Sequence, residues 1–361
     1  MRVHGLVRML AHLAEVTVTL TSWYEAPPVP HVSYRIEPVS DSFLSRVHRL
    51  RTYYKTDFSP RSRTHPPDLV VVEGLNLVAL NQYDAKVPFI LDEHNVEWNV
   101  IAYEMNNSPF FRTWVGKRRF VRRLLQPRLR ARAKAYEKEA LLRAAFTLVP
   151  SEPDRQAILD ELPGLSTRVR VLPSCLDMER YPPQSGMSST KNVVLAANYN
   201  YLPNLEAAAF VDTVLAPGVP EARFLLVGPN LPSGFVKSAN VVQTGYVKDL
   251  KQTFADAAIC IAPLMKGSGT RLKILSYLAA SKAVVATSKA CEGLDVVDGA
   301  NILIRDEAGA FQSAITELLR DRERCNRLGA AGRLLVEAKY DWKVHVESVR
   351  RLVIEATGPQ R

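Results

Sequence analysis

Short, unbroken aliphatic runs alternate with longer amphipathic stretches along most of this chain. Between residues 1 and 172 the runs predict strands near 16–21, 33–37, 69–73, 88–92, 146–150 and 169–172, with helices over 3–14, within 98–145 and over 153–163. Runs such as DLVVVEG and VPFILDE are too continuous for strands with one wet face, so they predict strands buried on both faces. Leu6, Leu10 and Leu13 make one apolar helical stripe. Ser151 followed by Asp154 forms a capping box that opens a helix directly after FTLVP. The segment RYPPQSGMSSTK (180–191) has no apolar period and reads as a linker. Beyond it come NVVLAAN, a helix from Leu205 to about Leu215, ARFLLVG, NVVQTG, a short helix, AICIAPL, a helix from Thr270, AVVATS, NILI and two helices between 308 and 339. This strand–helix alternation predicts an α/β chain of two doubly wound parallel-sheet (Rossmann-like) domains, residues 1–183 and 184–339, facing across a cleft at their strand ends.

Composition adds less than charge does. Of 361 residues, 47% are apolar and 23% charged, which excludes a disordered chain. The net charge of +10 is local: Arg112, Lys117, Arg118, Arg119, Arg122, Arg123, Arg128, Arg130, Arg132 and Lys134 fall in one stretch without an acid, and the rest of the chain is neutral. Such a patch implies one anionic partner. Phe110, Phe111, Trp114, Phe120, Leu124 and Leu125 are threaded through it, a pattern that suits an interfacial helix on an anionic membrane surface, in two pieces set by Pro109 and Pro127. The alternative is a solvated helix whose apolar residues face the core. No nucleic acid is expected, because no binding motif accompanies the charge. Cysteines at 175, 260, 291 and 325 form no CxxC pair, so neither a disulfide framework nor a zinc site is indicated. No run is long enough to span a membrane, and His4, Arg8, His12 and Glu15 interrupt the start. A cytoplasmic chain, peripheral on the inner face of the membrane, is therefore expected.

The candidate chemistry concentrates in IAPLMKGSGTRLKILSYLAASKAVVATS, residues 261–288. A buried strand ends at Pro263, Lys266 to Gly269 carry little bulk, and Thr270 opens an amphipathic helix with Arg271 and Lys273 in its first turn. Free backbone N–H groups at a helix start suit a phosphate. Cations in a first turn oppose the helix dipole, so they point to an external anion; a plain glycine turn with solvated basic residues is the alternative. The loop matches neither GxxxxGK[ST] nor GxGxxG.

This stretch resembles the donor domain of retaining GT-B glycosyltransferases, family 4 or group 1 type, whose loop reads G-S-G-T-R-L-K-I-L-E. The resemblance extends to LAANYNYLPNLEAA (195–208), FLLVGPN (224–230), VVQTGYVKDL (241–250), KAVVATSKACEGLDV (282–296), DEHNVEW (92–98), VPSEPDRQAI (149–158) and VLPSCLDMERY (171–181). It implies that Gly267, Ser268, Gly269 and Thr270 hold a nucleotide-sugar diphosphate while Arg271 and Lys273 neutralise the leaving group. Gly245, Tyr246 and Val247 would line the nucleobase pocket, with Glu292 also on the donor side. His94 would contact the transferring sugar or the acceptor, flanked by Glu73 and Asn95. No metal or other cofactor is implied, and residues 340–361 would form a helix crossing back to the first domain.

Two departures stand out. Where the family has a glutamate that binds the donor ribose this chain has Ser276, which lowers the expected donor affinity by about 1.5–3 kcal/mol. The chain also opens inside the first helix, so the family's first strand and Gly-rich turn are expected to be missing, leaving that helix without its usual neighbour. The resemblance implies transfer of a sugar, with retention, to a glycan or lipid-linked acceptor in polysaccharide or glycolipid biosynthesis. The alternatives are a non-catalytic paralogue acting as a binding subunit and, more remotely, a sugar-nucleotide epimerase.

Overall fold

The computed structural model describes residues 2–20, 33–36, 67–75, 87–99, 119–182, 188, 190–267 and 272–358. They fall into two compact units. One draws on Met1–Ile101, Leu124–Cys175 and Trp342–Arg361, and the other on Ala102–Arg123 and Leu176–Asp341.

In the first unit, β1 (Thr17–Leu20) pairs in parallel with β2 (Ser33–Ile36) as a separate small sheet. β3 (Val70–Glu73), β4 (Phe89–Asp92), β5 (Phe146–Val149) and β6 (Val169–Val171) form a parallel sheet in sequential order. Both faces of this sheet are covered, as the unbroken apolar runs require. Leu91 and Val149 pack with Ala140 and Leu141 of α2 (Arg119–Arg143) and Ile158 of α3 (Glu152–Leu159). Ile90 and Leu148 point the other way, onto Leu6 and Met9 of α1 (Arg2–Ala11) and onto Trp342, Val349 and Leu352 of the C-terminal helix Trp342–Thr357. The C-terminal helix packs against α1, and Leu6 and Met9 are 2% and 1% exposed. Ser151 caps α3 as its pattern predicts, accepting from the Asp154 N–H.

α2 corrects one expectation. Pro127 is expected to divide the basic stretch into two helical pieces, yet α2 runs continuously through it. Proline removes its own N–H from the ladder and crowds the carbonyl four residues back, but its fixed φ is helical, so a helix long enough to keep its other bonds can continue past it. Within the basic stretch, Arg112, Lys117, Arg118 and the flanking Phe110, Phe111 and Trp114 lie outside the described residues. Arg128 and Arg132 are exposed on α2. Lys134 and Lys138 pair instead with Glu161 at 2.7 and 2.8 Å, holding its carboxyl down at about 2.

The second unit is one six-stranded parallel sheet. Its elements are β7 (Asn192–Ala196), α4 (Leu202–Phe210), β8 (Arg223–Val227), β9 (Val241–Gly245), α5 (Leu250–Ala255), β10 (Ile259–Ala262), α6 (Leu272–Ala279), β11 (Ala283–Ala286), α7 (Ser288–Cys291), β12 (Leu303–Ile304), α8 (Ala308–Arg320) and α9 (Arg322–Lys339). The strand order is β12-β11-β10-β7-β8-β9. Every residue of β10 and β11 is buried, so this is a sheet covered on both faces. α4 continues as a wider π turn over Val211–Leu215, where the buried Asp212 carboxylate accepts from the Lys237 and Ser238 N–H groups and fixes the loop after β8. Tyr340 and Asp341 lead out of this unit into the C-terminal helix, labelled α10. All four cysteines are buried free thiols. Among the described residues no helix is long and apolar enough to cross a membrane.

Candidate functional sites at the strand ends

In the first unit the chemistry gathers where β3 and β4 end. Glu73 and Asp92 are the last residues of neighbouring parallel strands and stand in register, so both carboxyls emerge at one edge of the sheet. Asp92 is fully buried. His94, two residues on, places Nε2 3.1 Å from Glu73 Oε2 and 3.7 Å from Asp92 Oδ2. Burial, then repulsion from Asp92, raises the Glu73 carboxyl from its ordinary 4.5 to about 7, and His94 opposes the rise. A carboxyl that titrates near neutrality beside an imidazole can exchange a proton with it or with a bound hydroxyl. The three ligand atoms lie within 4.8 Å of one another, a set that could also coordinate a cation.

The chain after His94 is fixed from a distance. Asn95 is half-buried, and from Glu97 the backbone turns helical. The fully buried Glu137 of α2 accepts the Glu97 and Trp98 N–H groups at 2.9 and 2.7 Å, capping that turn, and burial raises its carboxyl to about 8. Asp92 and Glu137 escaped the sequence reading. Glu137 carries a visible signal only in hindsight, as an acid on the apolar side of a basic helix.

In the second unit the sheet order reverses between β7 and β10, which run side by side while the chain proceeds outward in opposite directions from them. Open α/β sheets bind ligands at the carboxyl ends flanking such a reversal. Lys273, in the first turn of α6, lies there and donates to Asn204 Oδ1 at 2.6 Å, reaching from the β10 side to the β7 side. Asn204 is 8% exposed, and its Nδ2 donates to the Asn198 carbonyl at 2.8 Å. The Asn198 side chain in turn accepts from Asn230 Nδ2 and the Asn200 N–H. Gly267 adopts φ 108°, a conformation that favours glycine, at the entry to the loop. Ser268, Gly269, Thr270 and Arg271 lie outside the described residues.

Buried hydroxyls fix the elements around this point. Thr287 donates to the Leu264 carbonyl at 2.5 Å and pins the chain after β10. Tyr277 of α6 accepts from the Ala196 N–H at the end of β7. Ser276 is 5% exposed and its hydroxyl sits 3.1 Å from that of Tyr181. Tyr246 is 74% exposed just past β9, and Val247 packs partly on the core. Glu292 follows α7, half-exposed and paired with Lys289. Sequence reasoning found Lys273 and missed the asparagines, since nothing in their spacing shows that the β7 and β10 loops meet.

Residues 190–321 match the family described as glycosyl transferases group 1. No characterised protein matches the chain significantly in sequence. Solved structures resemble it in fold. HepE of Anabaena in complex with UDP superposes with a TM-score of 0.66 at 13% identity, over 98% of this chain and 95% of that one. The fold is that of the GT-B glycosyltransferases. WaaG, a glycosyltransferase involved in lipopolysaccharide biosynthesis, gives 0.65 at 14%, over 98% and 95%. Sucrose-phosphate synthase from Thermosynechococcus elongatus gives 0.64 at 17%, over 97% and 91%. Against TarM the GT-B likeness is partial: the TM-score is 0.60 at 12% identity, and the chain spans 54% of that protein's length.

Proposed function

We propose that this protein is a glycosyltransferase that takes a sugar from a nucleotide-diphosphate donor on its second unit and transfers it, with retention, to a glycan or lipid-linked acceptor. One observation carries the reading: Lys273, in a segment that matches a glycosyltransferase family, stands at the reversal of strand order in a GT-B fold. The α6 N-terminus and Lys273, with Arg271, Gly267, Ser268, Gly269 and Thr270, hold the diphosphate and stabilise the charge that develops as it leaves. Tyr246 and Val247 serve the base, and Glu292 the donor sugar. His94 and Glu73, with Asn95 beside them, serve the acceptor. In this reading no metal is required, because fixed positive charge takes that part. That neighbours were solved with UDP or UDP-glucose makes a uridine donor the first to try.

Purified protein is incubated with UDP-, GDP- and ADP-sugars while donor hydrolysis, transfer and melting temperature are followed. A donor-dependent rise in melting temperature that Lys273→Ala reduces by about ten- to a hundredfold in affinity supports the reading. No shift with any donor at millimolar concentration overturns it. Ser276 favours a second reading, a non-catalytic subunit, because it puts a neutral hydroxyl, hydrogen-bonded to Tyr181, where the resemblance leads one to expect a carboxylate. Donor binding without hydrolysis or transfer selects that one.

The basic stretch is assigned to an anionic membrane surface, with the chain cytoplasmic and peripheral, serving polysaccharide or glycolipid assembly. Arg128 and Arg132 on α2 stand exposed for this contact. Sedimentation with anionic vesicles that weakens in high salt supports it; equal binding to neutral vesicles dismisses it.

A further inference from the structure

We propose that Asn204 is a positioning residue that aims the Lys273 ammonium at the anion. The inference rests on the donor-diphosphate reading above and adds to it the group that makes the cation effective. A lysine on a four-carbon stem has many rotamers, and a helix start repels it, so left alone its ammonium would spread over solvent and away from the loop. Asn204 removes that freedom. Its side chain is nearly buried, and its amide orientation is settled because Nδ2 donates to the Asn198 carbonyl at 2.8 Å. The oxygen is then forced to face Lys273 Nζ, 2.6 Å away.

The amide suits the task better than a carboxylate. It is neutral, so it fixes one of the three ammonium hydrogens without cancelling the charge, and the other hydrogens remain to be shared with neighbours and an incoming phosphate. Asn198 is held in its turn by Asn230 from the loop after β8. The cation on the β10 side is therefore registered against the ends of β7 and β8.

The test uses the full chain as wild type, Asn204→Ala, Lys273→Ala and the double variant, with UDP, GDP and inorganic pyrophosphate as probes. Asn204→Ala is expected to weaken binding by about three- to tenfold and Lys273→Ala by about ten- to a hundredfold, while the double variant matches Lys273→Ala alone, because coupled residues are not additive. Additive losses would mean that Asn204 only holds the turn at Asn198 before α4, and would overturn the proposal. So would wild-type affinity in Asn204→Ala, which leaves the donor reading intact.

A second readout needs no ligand. The 15N spectrum of lysine side-chain ammonium groups should show a protected resonance that disappears in Lys273→Arg and in Asn204→Ala. If no probe binds but this resonance behaves as stated, the donor reading fails and the positioning contact stands. If the resonance is the same in wild type and Asn204→Ala, the contact itself is refuted.

Discussion

Glu73 shows how much a single position can change when a strand end brings acids together. Its carboxyl titrates at 4.5 in an unfolded chain and at about 7 here, so the fold favours its neutral form. The stability it contributes is complete below the unfolded value and is lost as pH rises through about 7. Glu73→Gln, always neutral, should therefore gain on the wild type in melting temperature between about pH 4 and about pH 8, and a difference that stays flat with pH would contradict this. Gly228 tests geometry in place of charge. It has φ 132°, and a Cβ there would sit 1.9 Å from the Ala197 carbonyl oxygen, so Gly228→Ala should cost on the order of 2–4 kcal/mol in denaturant unfolding. At this scale the sequence is uneven evidence. Lys273 announces itself as a cation where a helix start does not want one. Asn204 does not, because an asparagine near a helix start is ordinary until the sheet order sets it opposite that cation.

Elements are more legible than sites, for a physical reason that β4 and α2 illustrate. VPFILDE reads as a buried strand because apolar continuity is a local property, and β4 is buried at every position. Continuity of α2 through Pro127 is not local, since it depends on whether the remaining bonds of a long helix outweigh one that is missing. Capping behaves in the same two ways. Ser151 and Asp154 are three residues apart and readable; Ser151→Ala should cost about 1 kcal/mol in chemical denaturation. Glu137 caps a turn forty residues earlier in the chain, beyond any pattern. Glu137→Ala leaves two partly buried N–H groups without their acceptor and should cost about 1–3 kcal/mol, measured the same way; a loss below about 0.5 kcal/mol would show that water replaces the carboxyl group.

For the whole molecule, the alternation of strands and helices indicates parallel α/β units, because parallel neighbours need a long crossover and a helix supplies it. How the chain is shared between them was not visible at the same level. Most of the second unit is one stretch, Leu176–Asp341, whereas the first is assembled from three pieces and takes α10 from beyond Asp341. Ending the chain after Asp341 strips the cover from Leu6, Met9, Ile90 and Leu148. Such a variant should lose the first unit's unfolding transition in calorimetry while the second unit's persists. Retention of both transitions would mean that α10 adds little.

The same arrangement sets an order of events at the ribosome. Everything the second unit needs has been synthesised before Trp342 appears, but α1 must wait for α10, which lies beyond the whole second unit in the chain. Until α10 is made, the apolar side of α1 has no surface of that helix to close over Leu6 and Met9, so the first unit completes its packing after the second.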